Sequence, residues 1–212
     1  MIFLKKTKPL KQTNPAAGKH KTLIGRPKFK IENIVASADL QLDLDLYSIA
    51  FKVYDVEYEP EQFPGAIFKM KDPKSSLLLF KNGKIICTGC KSEQEVQKAV
   101  NKTQKMLFLY AKNIRKKGRA TFRVENIVAS ANFAVMLDLY GIASSVHDVE
   151  YEPEQFPGAI FKMTEPVKSS LLLFKNGKII CTGCKSEKGV QQALNKTAGI
   201  LEKYASPLEV KK

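Results

Sequence analysis

The chain states most of its sequence twice, and this constrains its fold more than any other feature. Asp55–Met70 reads DVEYEPEQFPGAIFKM and returns unchanged as Asp148–Met163, while Ser75–Glu93 reads SSLLLFKNGKIICTGCKSE and returns unchanged as Ser169–Glu187. The second copy is one residue longer between these blocks, where Val167 stands beside Lys168. Stacked repeat proteins use units of roughly 20–50 residues; the unit here is longer, so each copy reads as a half-domain. Two like halves predict a pseudo-two-fold object, and such symmetry suits a target that looks alike from both ends.

With 212 residues and 44% hydrophobic content, the chain can build a proper core in one or two domains. No apolar run approaches the ~20 residues of a membrane helix. Met-Ile-Phe-Leu precedes the first lysines instead of following them, the wrong order for a secretory signal, so an intracellular protein is expected. The net charge of +14 is unevenly placed: residues 1–30 hold nine Lys or Arg and residues 102–123 hold eight, neither stretch with an acid. The remainder is slightly acidic. The division that follows is a basic, disordered tail over 1–28, a first repeat over 29–112, a basic linker over 113–122, a second repeat over 123–205 and a C-terminal tail over 206–212. The two basic segments point to contact with a polyanion or with acidic partners.

Periodicity changes along each repeat in a readable order. Ile31–Ala38 and Val124–Ala131 alternate as strands do. Asp39 and Asn132 are then expected to cap helices running to about Val53 and Val146, with Leu42, Leu46, Ile49 and Ala50 at helical spacing. After the Phe-Pro-Gly turn come strands over Ala66–Lys71, Ser75–Phe80 and Lys84–Thr88, the last two joined by an Asn82-Gly83 hairpin. Ser92 with Glu95 opens a second helix as a capping box, whose apolar face is Val96, Ala99, Val100, Thr103 and Leu107. Strand, helix, several strands and helix predict an α+β fold, an antiparallel sheet with helices on one side.

The other side of that sheet is left open. Alternation places Asn33, Val35 and Ser37 on it, then Leu78 and Phe80, then Lys84, Ile86 and Thr88, while Leu77, Leu79, Ile85 and Cys87 face the helices. The open face is thus an apolar floor studded with Asn, Thr and Phe and bordered by Lys69 and Lys84. A bare patch of that size marks an interaction site.

These residues carry a resemblance. Asn33-Ile34-Val35-Ala36-Ser37, the Tyr58–Gly65 segment YEPEQFPG, Leu78-Leu79-Phe80 with Gly83-Lys84, and Thr88-Gly89 with Lys91 all recur between Asn126 and Lys185. In that order they resemble the TATA-box-binding protein family across about residues 29–204, with two matching stirrups that are closer to its archaeal members. The resemblance implies a pseudo-two-fold saddle, a curved ten-stranded antiparallel sheet with four helices on its convex face. It implies a general transcription initiation factor without catalysis or cofactor, which binds double-stranded A·T-rich promoter DNA through the minor groove. The family is itself a type case of minor-groove wedging. By the same resemblance Asn33 and Asn126, with Thr88 and Thr182, donate to groove acceptors. Val35, Val128, Leu78, Leu172, Ile86 and Ile180 form the floor, and Phe63 with Phe80 and Phe156 with Phe174 are the wedges. Lys69, Lys84, Lys162 and Lys178, together with Lys91 and Lys185, are phosphate-contact candidates. Glu152 and Glu154 of the second stirrup are expected to meet a transcription factor B-type protein within the RNA polymerase initiation complex. Localisation would be cytoplasm and nucleoid in an archaeal host, or nucleus in a eukaryotic one. Pairing of free molecules through their bare concave faces stays open.

The chemistry of the groove agrees with these residue types. A·T pairs offer only acceptors in the minor groove, and a guanine amino group beneath an apolar floor would lose its hydrogen bonds. A competing reading comes from Cys87-Thr-Gly-Cys90 and Cys181-Thr-Gly-Cys184, the count of a Cys₄ zinc site or a dithiol centre. Against it, a duplicated half-domain separates the pairs, and no helix starts at the first thiol to lower its pKa. No catalytic set emerges, since His20 and His147 are the only histidines and neither has a partner at recognisable spacing.

Overall fold

The structure, a computed structural model, describes residues 22–116 and 118–208. The first repeat runs β1 (Phe29–Asp39), β2 (Leu42–Leu44), α1 (Leu46–Lys52), β3 (Val56–Glu57), β4 (Ala66–Lys71), β5 (Lys74–Leu79), β6 (Lys84–Cys90), α2 (Glu93–Leu107), a 3₁₀ turn (Phe108–Tyr110) and β7 (Ala111–Ile114). The second repeats it as β8 (Phe122–Asn132), β9 (Val135–Leu137), α3 (Leu139–Ser145), β10 (Val149–Glu150), β11 (Gly158–Met163), β12 (Ser169–Phe174), β13 (Lys178–Cys184), α4 (Glu187–Leu201), a 3₁₀ turn (Glu202–Tyr204) and β14 (Ala205–Pro207).

Ten strands form one antiparallel sheet in the palindromic order β10-β11-β12-β13-β8-β1-β6-β5-β4-β3, while β2 pairs with β7 and β9 with β14. The α+β saddle expected from the repeats is therefore present, with its seam at β1 and β8. Ile34 lies opposite Ile127 there, flanked by Asn33 opposite Val128 and Val35 opposite Asn126. These last two pairs exchange under the pseudo-dyad, which thus passes through the isoleucine pair.

Burial separates the two faces of the sheet as alternation requires. Leu77, Leu79, Ile85 and Cys87 are buried and meet the apolar side of α2, where Val96, Ala99, Val100, Thr103 and Leu107 are all buried. Ser92 Oγ accepts the Glu95 N–H at 3.2 Å, but Glu95 returns its carboxylate to the N–H of Lys91 at 2.7 Å, one residue ahead of the usual capping-box partner. In α4 Gly189 replaces that glutamate and Ser186 caps alone.

The start of the first helix is a correction. Asp39 and Asn132 cap nothing: their side chains accept the N–H of Gln41 at 2.8 Å and of Ala134 at 2.9 Å, closing tight turns in which Gln41 and Ala134 take φ of 61° and 55°. Asp and Asn favour such local turns as readily as helix caps. The chain leaves them extended, so Leu42 and Leu44 bury by alternation as β2, and the true caps are Asp45 and Asp138, which accept from Ser48 and Gly141. The Asn82-Gly83 hairpin is a three-residue loop, with Gly83 at φ 70° and its N–H on the Phe80 carbonyl at 2.8 Å.

The predicted boundaries differ at their edges. Residues 1–21 of the expected tail lie outside the described residues, but 22–28 cross α4. There Ile24 is buried, its N–H donates to the Glu202 carboxylate at 3.0 Å, and Gln191 donates to the Pro27 carbonyl at 3.1 Å. The linker expected over 113–122 is likewise partly built in: Asn113 and Ile114 finish β7, Phe122 begins β8, and Ala120 is buried with its N–H on Gln104 Oε1 at 3.1 Å. At the far end Ser206 and Pro207 belong to β14, and 209–212 lie outside the described residues.

Candidate nucleic-acid interface

The open face is organised around two amides whose orientation is fixed by the backbone. Asn33 Oδ1 accepts the Gly89 N–H at 2.7 Å and Asn126 Oδ1 accepts the Gly183 N–H at 2.7 Å. An amide whose oxygen is held by an N–H must turn its NH₂ the other way. One amide hydrogen reaches the hydroxyl of Thr88 (3.2 Å) or Thr182 (3.1 Å), and the second finds no acceptor among the described residues. The glycines can make this contact because β6 and β13 bulge there, with Gly89 at φ 95° and Gly183 at φ 92°. The sequence offered Thr88-Gly89 and its repeat only as a motif and neither glycine as a bulge, although Thr-Gly-Cys within a strand is the kind of interrupted pattern that marks one.

Around the amides lies the expected floor. Leu78 is paired with Ile86 and Leu172 with Ile180 across neighbouring strands, and Ile67 and Ile160 extend each row by one more pair. Val35 and Val128 occupy the centre. All are half-buried to exposed, with Ile86 the barest at 37%. Neighbouring apolar side chains on one face shield each other but leave their tips open to a partner.

At each end of the floor two aromatic rings meet edge to face. Phe63 and Phe80 stand with centroids 6.0 Å apart, Phe156 and Phe174 with centroids 5.9 Å apart. Phe63 is exposed and the other three half-buried, whereas Phe68 and Phe161 lie in the core as expected. A glycine sits beneath each pair. A Cβ on Gly65 would come 2.7 Å from Phe63 and 3.2 Å from Phe80, and one on Gly158 would come 2.8 Å and 3.1 Å from Phe156 and Phe174. The Pro-Gly in each stirrup therefore serves the rings as well as the turn.

The charges are more mixed than a basic rim. Lys69 pairs with Glu57 at 2.7 Å, Lys162 with Glu150 at 2.6 Å, Lys185 with Glu125 at 3.5 Å and Lys91 with Glu32 at 3.9 Å. Among the described residues Lys84 and Lys178 hold no ion pair. Glu32 and Glu125, which the sequence reading missed, sit on the open face itself, each accepting a serine hydroxyl from the other repeat: Ser130 to Glu32 and Ser37 to Glu125, both at 2.7 Å. The Arg123 guanidinium, with Ser37, holds the Glu125 carboxyl down at about 2, and Ser130 lowers that of Glu32. In the second stirrup Glu152 and Glu154 are exposed, and the Glu152 carbonyl accepts from Gln155 and Phe156 at 3.0 Å each.

The cysteines belong to the core. Cys87 and Cys90 approach to 3.8 Å and Cys181 and Cys184 to 4.0 Å, all four fully buried. The bulge returns Cys90 and Cys184 to the helix side, where simple alternation would turn them outward. Within each pair the thiol contact pushes Cys87 and Cys181 up and Cys90 and Cys184 down, but reactive thiols are partly exposed and these four are sealed in the core. No group of three or more His, Cys, Asp or Glu side chains comes together among the described residues, so the zinc reading finds no donor set.

A duplicated α+β saddle with a bare, donor-bearing apolar face and paired aromatic ends defines a class: a symmetric sheet protein with helices on one side and an open face on the other. Comparison with known proteins narrows it. A profile of the family described as "Transcription factor TFIID (or TATA-binding protein, TBP)" matches residues 28–110 and 121–204, and the chain belongs to this family. It is 45% identical over 166 residues to a TATA-box-binding protein of Sulfurisphaera tokodaii, covering 78% of this chain and 82% of that one. It is 42% identical over 168 residues to one of Methanothermobacter thermautotrophicus, covering 79% and 91%. Among solved structures, Methanococcus jannaschii TBP superposes with a TM-score of 0.75 at 37% identity, covering 84% of this chain and 99% of that one.

Proposed function

We propose that this protein is a general transcription initiation factor that binds A·T-rich promoter DNA through the minor groove. The observation that carries the proposal is the backbone lock on Asn33 and Asn126, whose oxygens are taken up by glycine N–H groups so that each amide has its NH₂ left to donate beside the pseudo-dyad, while the neighbouring carboxylates of Glu32 and Glu125 are occupied by Ser130 and Ser37. A·T steps answer with acceptors alone, and the Leu–Ile rows leave a guanine amino group without a partner. Phe63 with Phe80 and Phe156 with Phe174 enter base steps at the two ends. Unstacking costs a few kcal/mol per step, offset by the area that a bent duplex buries against the floor. Lys84 and Lys178, the uncommitted cations, contact phosphate; Lys69, Lys91, Lys162 and Lys185 do so only by leaving their carboxylates.

Glu152 and Glu154 dock a transcription factor B-type protein, which brings the RNA polymerase initiation complex. Because Glu59 and Glu61 repeat them in an identical first stirrup, partner choice rests on residues beside the stirrups, and so does direction along the DNA. The proposal is tested by gel shift of a TATA duplex against one with G·C pairs at its central steps, with bending read by energy transfer between end labels. A saddle that has lost DNA binding would shift neither probe.

A further inference from the structure

The repeat supplies its own control for the outer surface, because positions that differ between two copies of one backbone are not dictated by that backbone. Four large apolar side chains on the outside of the first repeat have polar counterparts in the second. Phe51 and Tyr54, at the end of α1 and just beyond it, stand where α3 and its following turn carry Ser144 and His147. Phe108 and Leu109, in the 3₁₀ turn, stand where the second repeat carries Glu202 and Lys203. Phe51 is 89% exposed, Tyr54 83% and Leu109 82%, so none of them serves the core. The two elements adjoin: the N–H of Asp45, the cap of α1, donates to the Tyr110 carbonyl of the turn at 3.3 Å.

Positive charge follows the same asymmetry. Lys52, Lys105 and Lys112 in the first repeat correspond to Ser145, Gly199 and Ser206 in the second. Lys112 lies 3.5 Å from Asp45, while Lys52 and Lys105 hold no ion pair among the described residues. Lys52 adjoins Phe51 in sequence and Lys71 Nζ stands 5.5 Å from the Tyr54 ring centroid; exposed apolar anchors on elements that also carry cations complement an acidic segment with apolar side chains, as in helix-in-groove and acidic-motif recognition. Two other occupants fit less well. Residues 1–21 carry six lysines and no acid, and a second copy of a chain at +14 brings like charge. We infer that the outer face of the first repeat, around Phe51, Tyr54, Phe108 and Leu109, is a docking surface for an acidic, apolar-bearing protein segment. It lies apart from the DNA-facing side and would distinguish two halves whose stirrups are identical.

The test uses the full-length protein and a fluorescein-labelled 20-residue peptide of alternating Glu and Leu/Phe, read by anisotropy with and without saturating TATA duplex. A peptide with Lys for every Glu is the control. The expected result is binding of the acidic peptide alone, with or without duplex, weakening as salt rises. The variant Phe51→Ser, Tyr54→His, Phe108→Glu, Leu109→Lys installs the second repeat's own residues on the matching backbone, and it should lose roughly tenfold or more in affinity. Its circular dichroism and its gel shift with TATA duplex should not change. Failure of the TATA shift in both proteins, with peptide binding intact, would count against the DNA proposal alone. Three results would overturn the docking surface: no binding of the acidic peptide, equal binding by the variant, or displacement of the peptide by a single-stranded oligonucleotide of equal charge. Self-association of the protein in sedimentation that the variant abolishes would also overturn it, assigning the patch to a second copy.

Discussion

Replacing Asn33 and Asn126 by aspartate isolates what the amides contribute. The change is nearly isosteric, and a carboxylate oxygen can still accept the Gly89 and Gly183 N–H groups now held at 2.7 Å, so the bulges keep their partners. What disappears is the NH₂: one hydrogen on each amide is engaged with Thr88 or Thr182, leaving one donor per repeat for the groove. An acceptor left unpaired in a desolvated interface costs about 1–3 kcal/mol. At 1.4 kcal/mol per tenfold, each substitution should therefore weaken TATA binding by roughly 5- to 150-fold. The added negative charge would weaken binding to any duplex, so the informative quantity is a ratio. Aspartate accepts where asparagine donates, and guanine offers its amino group in the minor groove. The preference for a TATA duplex over one with central G·C pairs, measured by competitive gel shift, should fall by at least about tenfold in the double variant. If both affinities drop by the same factor and the preference stands, the amides do not read the groove and the lock is only structural.

Four other outcomes are expected. Phe156→Ala with Phe174→Ala should abolish bending in the energy-transfer assay while the unfolding transition moves little, since both rings are partly exposed; unchanged bending removes the wedge assignment. Affinity should fall with salt at a slope near −2, about −0.9 for each of Lys84 and Lys178, and a slope near −5 would mean that the paired lysines also release their carboxylates. Gly89→Ala forces a side chain into φ 95° with its Cβ 3.2 Å from the Ser75 backbone. The strain of about 1–3 kcal/mol should lower the melting temperature by roughly 2–12 °C, with no change refuting it. Glu125 has its carboxyl held down at about 2, so its stabilising contacts persist as pH falls below the ordinary carboxylate range and are lost only near that value. A carboxyl-detected NMR titration should inflect there and move upward in Arg123→Ala, and an inflection above about 4 in the parent protein would contradict the clamp.

Reading the sequence succeeded where the signal was local and periodic. Alternation separated Leu77, Leu79, Ile85 and Cys87 from Leu78 and Ile86, and helical spacing with a serine cap placed the buried stripe of α2. It failed where two local structures compete for the same residues. Asp39 ahead of Leu42 and Leu46 fits a helix cap and a tight turn equally, and only the pairing of β2 with β7, more than sixty residues away, selects the turn. The bulges at Gly89 and Gly183 escaped for a related reason: a bulge shows itself by its opposing strand, and β1 lies far from β6 in sequence.

The duplicated text alone determined that two equivalent halves exist and which faces of their strands are apolar, with Asn, Thr and Phe on the open one; the placing of phenylalanines at the ends and asparagines at the middle came from the family resemblance. Tertiary structure decided what those residues present. The antiparallel meeting of β1 with β8 puts both amides beside one axis, the bulged backbone takes up their oxygens, and serines from opposite halves hold Glu32 and Glu125 on the same surface. Contacts such as Ser37 to Glu125 join residues far apart in the chain, so no window of sequence records them; they exist only once the sheet has closed across its seam.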